Sequence, residues 1–330
     1  IELSGAQLMV PGLGADSLRF AAEGNQDSMA VRMVLSREAG SNIQLAGAVE
    51  LIGRTPRGVL LDSLELRAGE LAWQLTSPAA IRWGGVDGVR IDDLVLRSTT
   101  DPLSGILVDG NLPPDGESDL RAQVRRLDLE LVRRLVPNSP DLAGIVDGDF
   151  ILQGPTGDPE LLVQGYGTGI RYEGVSLDSL SFNVDYDEGR LTSRGSAWQG
   201  TMQVAALGAD VPLTLSISDA IPEFELVRES PITATIRADS FPIALLTAGG
   251  VQVSDGSGTV VGQLDLAGTA ENPQLSGYAT IRDGAVTAPQ LGRRFDRISG
   301  HLILDEQQIL IDSLVVWSGG RAEVNGSVRV

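Results

Sequence analysis

Few residue types in this sequence could carry out chemistry, and the first of them is a single histidine. His301 lies between Gly300 and Leu302, on the polar side of an alternating segment. One histidine excludes a metal site with several histidine ligands, and a serine–histidine–aspartate triad would have to be built on this residue. The absence of cysteine excludes disulfides, thiolate metal sites and cysteine nucleophiles. We interpret His301 as a surface residue of a strand.

Three further segments have compositions that occur in ligand sites, but their spacing favours turns and strands. Residues 185–189 resemble the start of a calcium loop without its distant glutamate, and Gly189 can supply the positive φ of a hairpin turn. Residues 165–169 and 256–262 are glycine-rich, but no helix pattern follows them to complete a phosphate site. We therefore predict a hairpin and two sets of strand bends, with no catalytic residue, no metal, no cofactor and no enzymatic activity.

The charge of the chain argues against a nucleic-acid partner. Its formal net charge is −19, with 44 acidic and 25 basic residues, and every basic residue is arginine. Nucleic acids bind to basic surfaces. A local cluster consists of Arg121, Arg125, Arg126, Arg133 and Arg134. Because Asp128 and Glu130 are interleaved with these arginines, we interpret the cluster as a solvated face of mixed charge, in preference to a site for an anionic ligand.

Apolar and polar residues alternate along most of the chain, and this pattern predicts β-strands with one apolar face. The 40 glycines and 16 prolines are spread evenly, as in a protein of many short strands. Helical spacing replaces alternation at two places, so we predict short helices over residues 128–136 and 242–248. The predicted fold class is all-β, a long antiparallel sheet that curls or folds over to cover its apolar face.

The apolar phase of each strand predicts which side chains would line a groove in this sheet. The predicted lining comprises Phe150, Leu152, Phe182, Val184, Leu213, Leu215, Ile232, Ile236, Leu264, Leu266, Ile281, Leu302 and Leu304. Residues one position along, such as Asn183 and Gln263, are predicted to lie on the opposite, polar face.

A glycine pattern that occurs twice indicates an internal repeat. Both copies have the spacing G-x3-G-x5-G-x4-P, at an offset of 114 positions. The first copy is Gly144, Gly148, Gly154 and Pro159, and the second is Gly258, Gly262, Gly268 and Pro273. We predict one continuous body with an N-terminal part over residues 1–120, a first repeat unit over 121–240 and a second over 241–330.

The second copy and the residues after it resemble the TamB family of translocation and assembly module proteins, which is related to the AsmA-like envelope proteins. The matching segments are residues 258–277, 281–284, 291–292, 298–302 and 324–328. Residues 71–75, 77–81, 89–91 and 94–96 also fit a recurring pattern of that family. The resemblance implies an antiparallel sheet curled into an open trough, or β-taco, with an apolar interior.

The same resemblance implies a role in the envelope of a diderm bacterium. It implies a periplasmic protein, held in the inner membrane by a helix outside this chain, that meets an outer-membrane barrel protein of the assembly family. Its groove would conduct phospholipid acyl chains between the two membranes. The alternative is a periplasmic scaffold or chaperone-like sheet that assists outer-membrane protein translocation and assembly, with residues 322–330 as the pairing edge. The chain contains no apolar run of 18 residues that could be the anchoring helix of that family, so we expect it to be an internal or C-terminal-region segment of such a protein, or a soluble relative.

Overall fold

The computed structural model describes residues 2–10, 13–37, 40–86, 88–136, 139–172, 175–218, 221–248, 254–305 and 308–329. Strands make up 79% and helices 5% of the structure. The predicted all-β class with a few short helices is therefore confirmed. The contacts divide the chain into two units, Ile1–Gly167 with Leu215–Phe224, and Thr168–Thr214 with Glu225–Val330.

The first unit is built on one antiparallel sheet. Its strands are β1 (Glu2–Val10), β2 (Leu13–Gly24), β3 (Ser28–Arg37), β4 (Ser41–Ile52), β5 (Thr55–Ala68), β6 (Leu71–Leu75), β7 (Ala79–Trp83), β8 (Val89–Ser98), β9 (Gly105–Leu112), β10 (Glu117–Asp128) and β11 (Leu142–Pro155). Each of β1 to β4 pairs with the next strand. β6 and β7 both pair with β5 on one side and β8 on the other. β8, β9, β10 and β11 then follow in order.

The second unit contains a similar antiparallel sheet. Its strands are β13 (Val175–Asp187), β14 (Arg190–Gln199), β17 (Thr233–Pro242), β18 (Ser254–Gly268), β19 (Pro273–Ala288), β20 (Arg293–Asp305), β21 (Gln308–Trp317) and β22 (Arg321–Arg329), with most of β15 (Met202–Ser218). β12 (Glu160–Tyr172), β15 and β16 (Ile221–Leu226) contribute residues to both units. β13, β14, β15 and β17 pair in that order. β17 to β22 each pair with the next strand.

Tight turns join neighbouring strands where the sequence predicts them. Glu188 and Gly189, with φ of 47° and 74°, form the two-residue turn between β13 and β14. Two consecutive positive φ values give the turn the twist that an antiparallel hairpin requires. The acidic segment at 185–189 is therefore a hairpin. Asp93, with φ of 55°, lies in a bulge of β8.

The internal repeat is visible in the backbone. A bulge interrupts the pairing at corresponding places of β10 and β17. The bulge residue with positive φ is Arg126 in the first copy, at 47°, and Ser240 in the second, at 60°. Gly154 and Gly268 have φ of 89° and 88°. Since both pairs are 114 positions apart, the glycine pattern marks the same backbone path in each copy.

A short helix follows each of these bulges, which confirms both predicted helices. They are α1, Leu129–Leu135, and α2, Ile243–Ala248. α1 begins after Asp128 because its Oδ1 accepts a hydrogen bond from the Glu130 backbone N–H at 2.9 Å. A 3-10 turn at Pro289–Leu291 precedes β20. The boundaries expected at 120 and 240 lie inside β10 and β17.

The sheet of the first unit curves around α1. The helix contacts β4 and β5 as well as β10 and β11. In a flat sheet β5 and β10 would lie about 19 Å apart at about 4.8 Å per strand, whereas an α-helix is about 10 Å wide. The Arg37 side chain of β3 also reaches α1, where Nη1 donates to the carbonyl oxygens of Arg134 at 3.1 Å and Leu135 at 2.6 Å. Curvature is the geometry that allows all these contacts.

Candidate functional site

The candidate site is the apolar face of the sheet in the second unit. Side chains alternate between the two faces of each strand, and paired residues of neighbouring strands lie side by side. Apolar positions therefore line up in rows that run across the strands. One row follows the register from β13 to β22 through Phe182, Gly195, Leu207, Ile236, Leu264, Gly277, Leu304, Ile309 and Val328. We call these residues the apolar row.

Four of the seven large side chains of the apolar row are exposed, and the other three, Leu264, Leu304 and Ile309, are half-buried. Phe182 and Leu207 are each 44% exposed, Ile236 is 49% exposed and Val328 is 53% exposed. Isolated exposed apolar residues are normal on a protein surface, but contiguous ones indicate a place where something apolar binds. The apolar row thus offers an accessible apolar strip on successive strands.

A second row on the same face consists of small residues. Two positions from the apolar row along β14, β15, β17, β18 and β19, the register joins Ala197, Ala205, Ala238, Gly262 and Ala279, and these small residues are bounded by Leu180 of β13 and Leu302 of β20. Alanine and glycine rise little above the backbone. The side chains of the apolar row therefore border a low strip that runs in the same direction across the strands.

The structure brings most of the predicted lining residues of the second unit onto this one face. Phe182, Ile236, Leu264 and Leu304 belong to the apolar row itself. The remaining residues occupy neighbouring rows, and all are half-buried. They are Val184, Leu266, Ile281 and Leu302. Leu207, which the predicted lining does not include, belongs to the same row, and the alternation of β15 is the signal that could have found it.

Other predicted lining residues are buried inside the protein. Leu213 and Ile232 in the second unit are 7% and 8% exposed, and Leu152 and Leu215 in the first unit are 4% and 2% exposed. A side chain with so little exposed surface has no room for a ligand. Half-buried Phe150 packs beside Leu152.

The apolar face of the first unit is filled by two clusters. At one end Leu131 of α1, 4% exposed, packs with Ala68, Trp73 and Leu96. At the other end a cluster is formed by Leu112, Leu152 and Ile217, packed against Val89, Leu120, Phe150 and Leu161. Because α1 is amphipathic, it must bury its apolar side, and the curved sheet provides the surface.

The opposite face of the second unit carries a polar network. Asp265 accepts hydrogen bonds from Thr235 Oγ1 and from Gln263 Nε2, each at 2.8 Å. The Arg237 guanidinium donates to Gln263 Oε1 at 3.2 Å. His301 lies on this polar face, with its Nδ1 3.0 Å from Thr280 Oγ1. The predicted assignment of Gln263 and His301 to the polar phase is confirmed.

The arginine cluster around α1 is neutralised by carboxylates. Its ion pairs are Arg121 with Asp119, Arg125 with Asp149, Arg126 with Asp101, and Arg133 and Arg134 with Glu130. The hydrogen bond from Arg133, together with that from Arg134, lowers the pKa of Glu130 to about 2. The hydrogen bond from Arg126 lowers the pKa of Asp101. The cluster is thus a face of mixed charge, as the interleaved acidic residues predict.

Within the described residues, no group of histidine, cysteine, aspartate or glutamate side chains is arranged to hold a metal ion. None of the helices in the described part of the chain has the length and apolar character to cross a membrane. Comparison of the chain with known protein families, curated proteins and solved structures finds no match.

Proposed function

We propose that this chain belongs to a cell-envelope protein whose apolar groove conducts phospholipid between the inner and outer membranes. The observation that carries the proposal is the exposure of the apolar row in the second unit, including Phe182, Leu207 and Ile236. Folding removes apolar side chains from water wherever it can, at about 25 cal/mol per Å² of apolar surface. An acyl chain lying on the row would gain the same stabilisation.

The geometry of the row suits a ligand that moves along it. Strands lie about 4.8 Å apart, so an apolar position recurs at that interval across the sheet. An acyl chain that slides by one strand exchanges one apolar contact for another of the same kind, while its headgroup stays in water. No specific polar pocket is needed for this movement. A charge in the strip would interrupt it, because the passing chain would have to desolvate that charge.

The resemblance to TamB proteins supports the cellular part of the proposal. It suggests a location in the periplasm, a connection to the inner membrane through a segment outside this chain, and an outer-membrane barrel protein of the assembly family as partner. The phospholipid acyl chains are the ligand. No catalytic step is part of the proposed function.

Photo-crosslinking tests the proposal at two neighbouring positions of β18. A reactive side chain is placed at Leu264, in the apolar row, and separately at Gln263, on the polar face. We expect strong labelling of phospholipid from position 264 and little from position 263. Equal labelling from the two positions would rule out a one-sided groove.

The same experiment separates transport from the alternative role as a scaffold or chaperone-like sheet for outer-membrane proteins. A sheet that binds unfolded strands does so through backbone hydrogen bonds at an edge. It would give crosslinks to polypeptide and none to lipid. Lipid labelling confined to position 264 favours conduction.

A further inference from the structure

A separate cleft of about 720 Å³ lies in the first unit, beside the turns that join β4 to β5 and β7 to β8. It is on the polar face of the sheet. Glu50 pairs with Gly58, Gly58 with Arg82 and Arg82 with Arg90, and these residues line the cleft. The neighbouring row on the opposite face is apolar, with Val49, Val59, Ile81 and Ile91 in register. The cleft is therefore distinct from the apolar faces described above.

Two of the three arginines that line the cleft are engaged with carboxylates. Arg82 Nε lies 3.0 Å from Glu50 Oε2, and Arg82 Nη1 lies 2.9 Å from Asp92 Oδ2. Arg90 Nε lies 2.8 Å from Asp92 Oδ1. These four residues form a balanced chain of two guanidiniums and two carboxylates. Arg57 lines the same cleft and forms no ion pair with any described residue.

The backbone places Arg57 in the cleft through a bulge. Glu50 pairs with Gly58 and Leu51 pairs with Pro56, so Arg57 is the extra residue of β5. A bulge changes the direction of the side chain at the extra residue. Here it accounts for the presence of Arg57 in a cleft whose other charged residues belong to the polar face.

Two glycines give the charged side chains the room they occupy. A Cβ at Gly84, where φ is +79°, would collide with Arg57 Nη1. A Cβ at Gly58 would lie 2.7 Å from Glu50 Oε2 and 3.1 Å from Arg82 Cγ. The guanidinium of Arg57 therefore rests against bare backbone, and the Glu50–Arg82 pair lies over another bare position. Both contacts depend on the absence of a side chain.

The rest of the lining combines apolar side chains with one further acid. Ala48, Ile52, Leu60 and Trp83 line the cleft, as does Asp27. Asp27 forms no ion pair within the described part of the chain. A ligand that fits this lining has an apolar part, which contacts the aliphatic and indole surfaces, and an anionic group, which contacts Arg57. The carboxylate of Asp27 would weaken the binding of that anionic group.

We propose that this cleft binds a small amphipathic anion, a phosphate monoester or carboxylate with a short apolar tail, whose anionic group contacts Arg57. A planar guanidinium donates two parallel hydrogen bonds to such a group, which is the strongest pairing that a side chain offers to it. The anion is either a free metabolite or the headgroup of a lipid. The site is independent of the apolar row in the second unit.

Calorimetric titration of the whole chain with hexyl phosphate, inorganic phosphate and hexanol tests the site. Hexyl phosphate should bind more tightly than inorganic phosphate, which lacks the apolar tail, and more tightly than hexanol, which lacks the anionic group. Arg57→Gln should weaken hexyl phosphate binding about tenfold or more, the loss expected for a charged hydrogen bond. Asp27→Asn should strengthen it, because it removes a carboxylate near the anion. Circular dichroism establishes that each variant is folded.

Arg54→Gln is the matched control, since Arg54 is exposed at the tip of the β4–β5 turn and is not part of the cleft lining. It should leave binding unchanged. Flotation with vesicles that contain an anionic phospholipid distinguishes the two sources of the anion. Flotation that depends on Arg57 identifies a lipid headgroup, and a lack of such flotation identifies a free anion. Three results would overturn the proposal. Both arginine variants could weaken binding equally, hexanol could bind as tightly as hexyl phosphate, or hexyl phosphate could fail to bind at millimolar concentration.

Discussion

At the scale of single residues, the exposure of the apolar row determines where a charge should block transfer. Phe182 is 44% exposed in the row, and Asn183 follows it on the opposite face. A charge at position 182 stays hydrated in the empty protein, so the sheet remains folded, but an acyl chain cannot cover that charge without desolvating it. We expect Phe182→Arg to abolish phospholipid transfer between vesicles, followed with a fluorescent lipid.

The matched control for that variant is Asn183→Arg, which adds the same charge one position away. It should transfer lipid at close to the wild-type rate. Similar inhibition by both variants would show that net charge, and not the apolar strip, controls transfer. Circular dichroism checks that both sheets are intact.

A second residue-scale prediction concerns Glu130, whose folded pKa of about 2 lies below its ordinary value of 4.5. A lowered carboxyl pKa stabilises the folded state above about pH 4.5, and the stabilisation is lost as the pH falls towards 2. Because Arg133 and Arg134 are more than a third exposed, solvent screening limits the effect to about 1 kcal/mol. The free energy of unfolding of Glu130→Gln should fall below wild type at pH 6 and converge with it near pH 2. The same difference in free energy of unfolding between wild type and variant at both pH values would contradict this.

At the scale of elements, α1 is predicted to stabilise the first unit through Leu131. This side chain is 4% exposed and packs against Trp73. Leu131→Ala should lower the free energy of unfolding by about 2 to 4 kcal/mol, the usual cost of a cavity in a packed core. Leu207→Ala, at a site 44% exposed, should cost less than about 1 kcal/mol. Urea unfolding measures both, and equal costs would mean that α1 does not pack as described.

The helices themselves could be predicted from sequence, but their packing could not. The change from alternation to helical spacing is a local signal, and both helices occur where it places them. The curvature of the sheet determines the surface that α1 covers. Bulges, and strands far away in sequence, contribute to that curvature. The burial of Leu152 follows from a contact with Ile217, 65 positions away in sequence, which alternation along one strand does not reveal.

At the scale of the whole molecule, the fold class follows from pattern alone, because alternation and turn residues specify strands wherever they occur. The pattern along one strand does not show which residues of neighbouring strands lie side by side, and the register supplies that information. It aligns Phe182, Leu207 and Ile236 in one row, and it distinguishes the exposed apolar face of the second unit from the filled face of the first. Circular dichroism should show a strand-rich spectrum, and helix above about a quarter of residues would contradict the fold.

The amount of phospholipid that co-purifies with the chain, measured by mass spectrometry, tests directly whether the apolar row binds acyl chains. Ile236→Asp places a charge in the apolar row at a site 49% exposed. Leu310→Asp places the same charge at a site 43% exposed on the opposite face, in register with Ile303 and Tyr278. We expect bound phospholipid in the wild-type chain and in Leu310→Asp, and little in Ile236→Asp. Absence of phospholipid from the wild-type chain, or equal loss in both variants, would contradict this expectation.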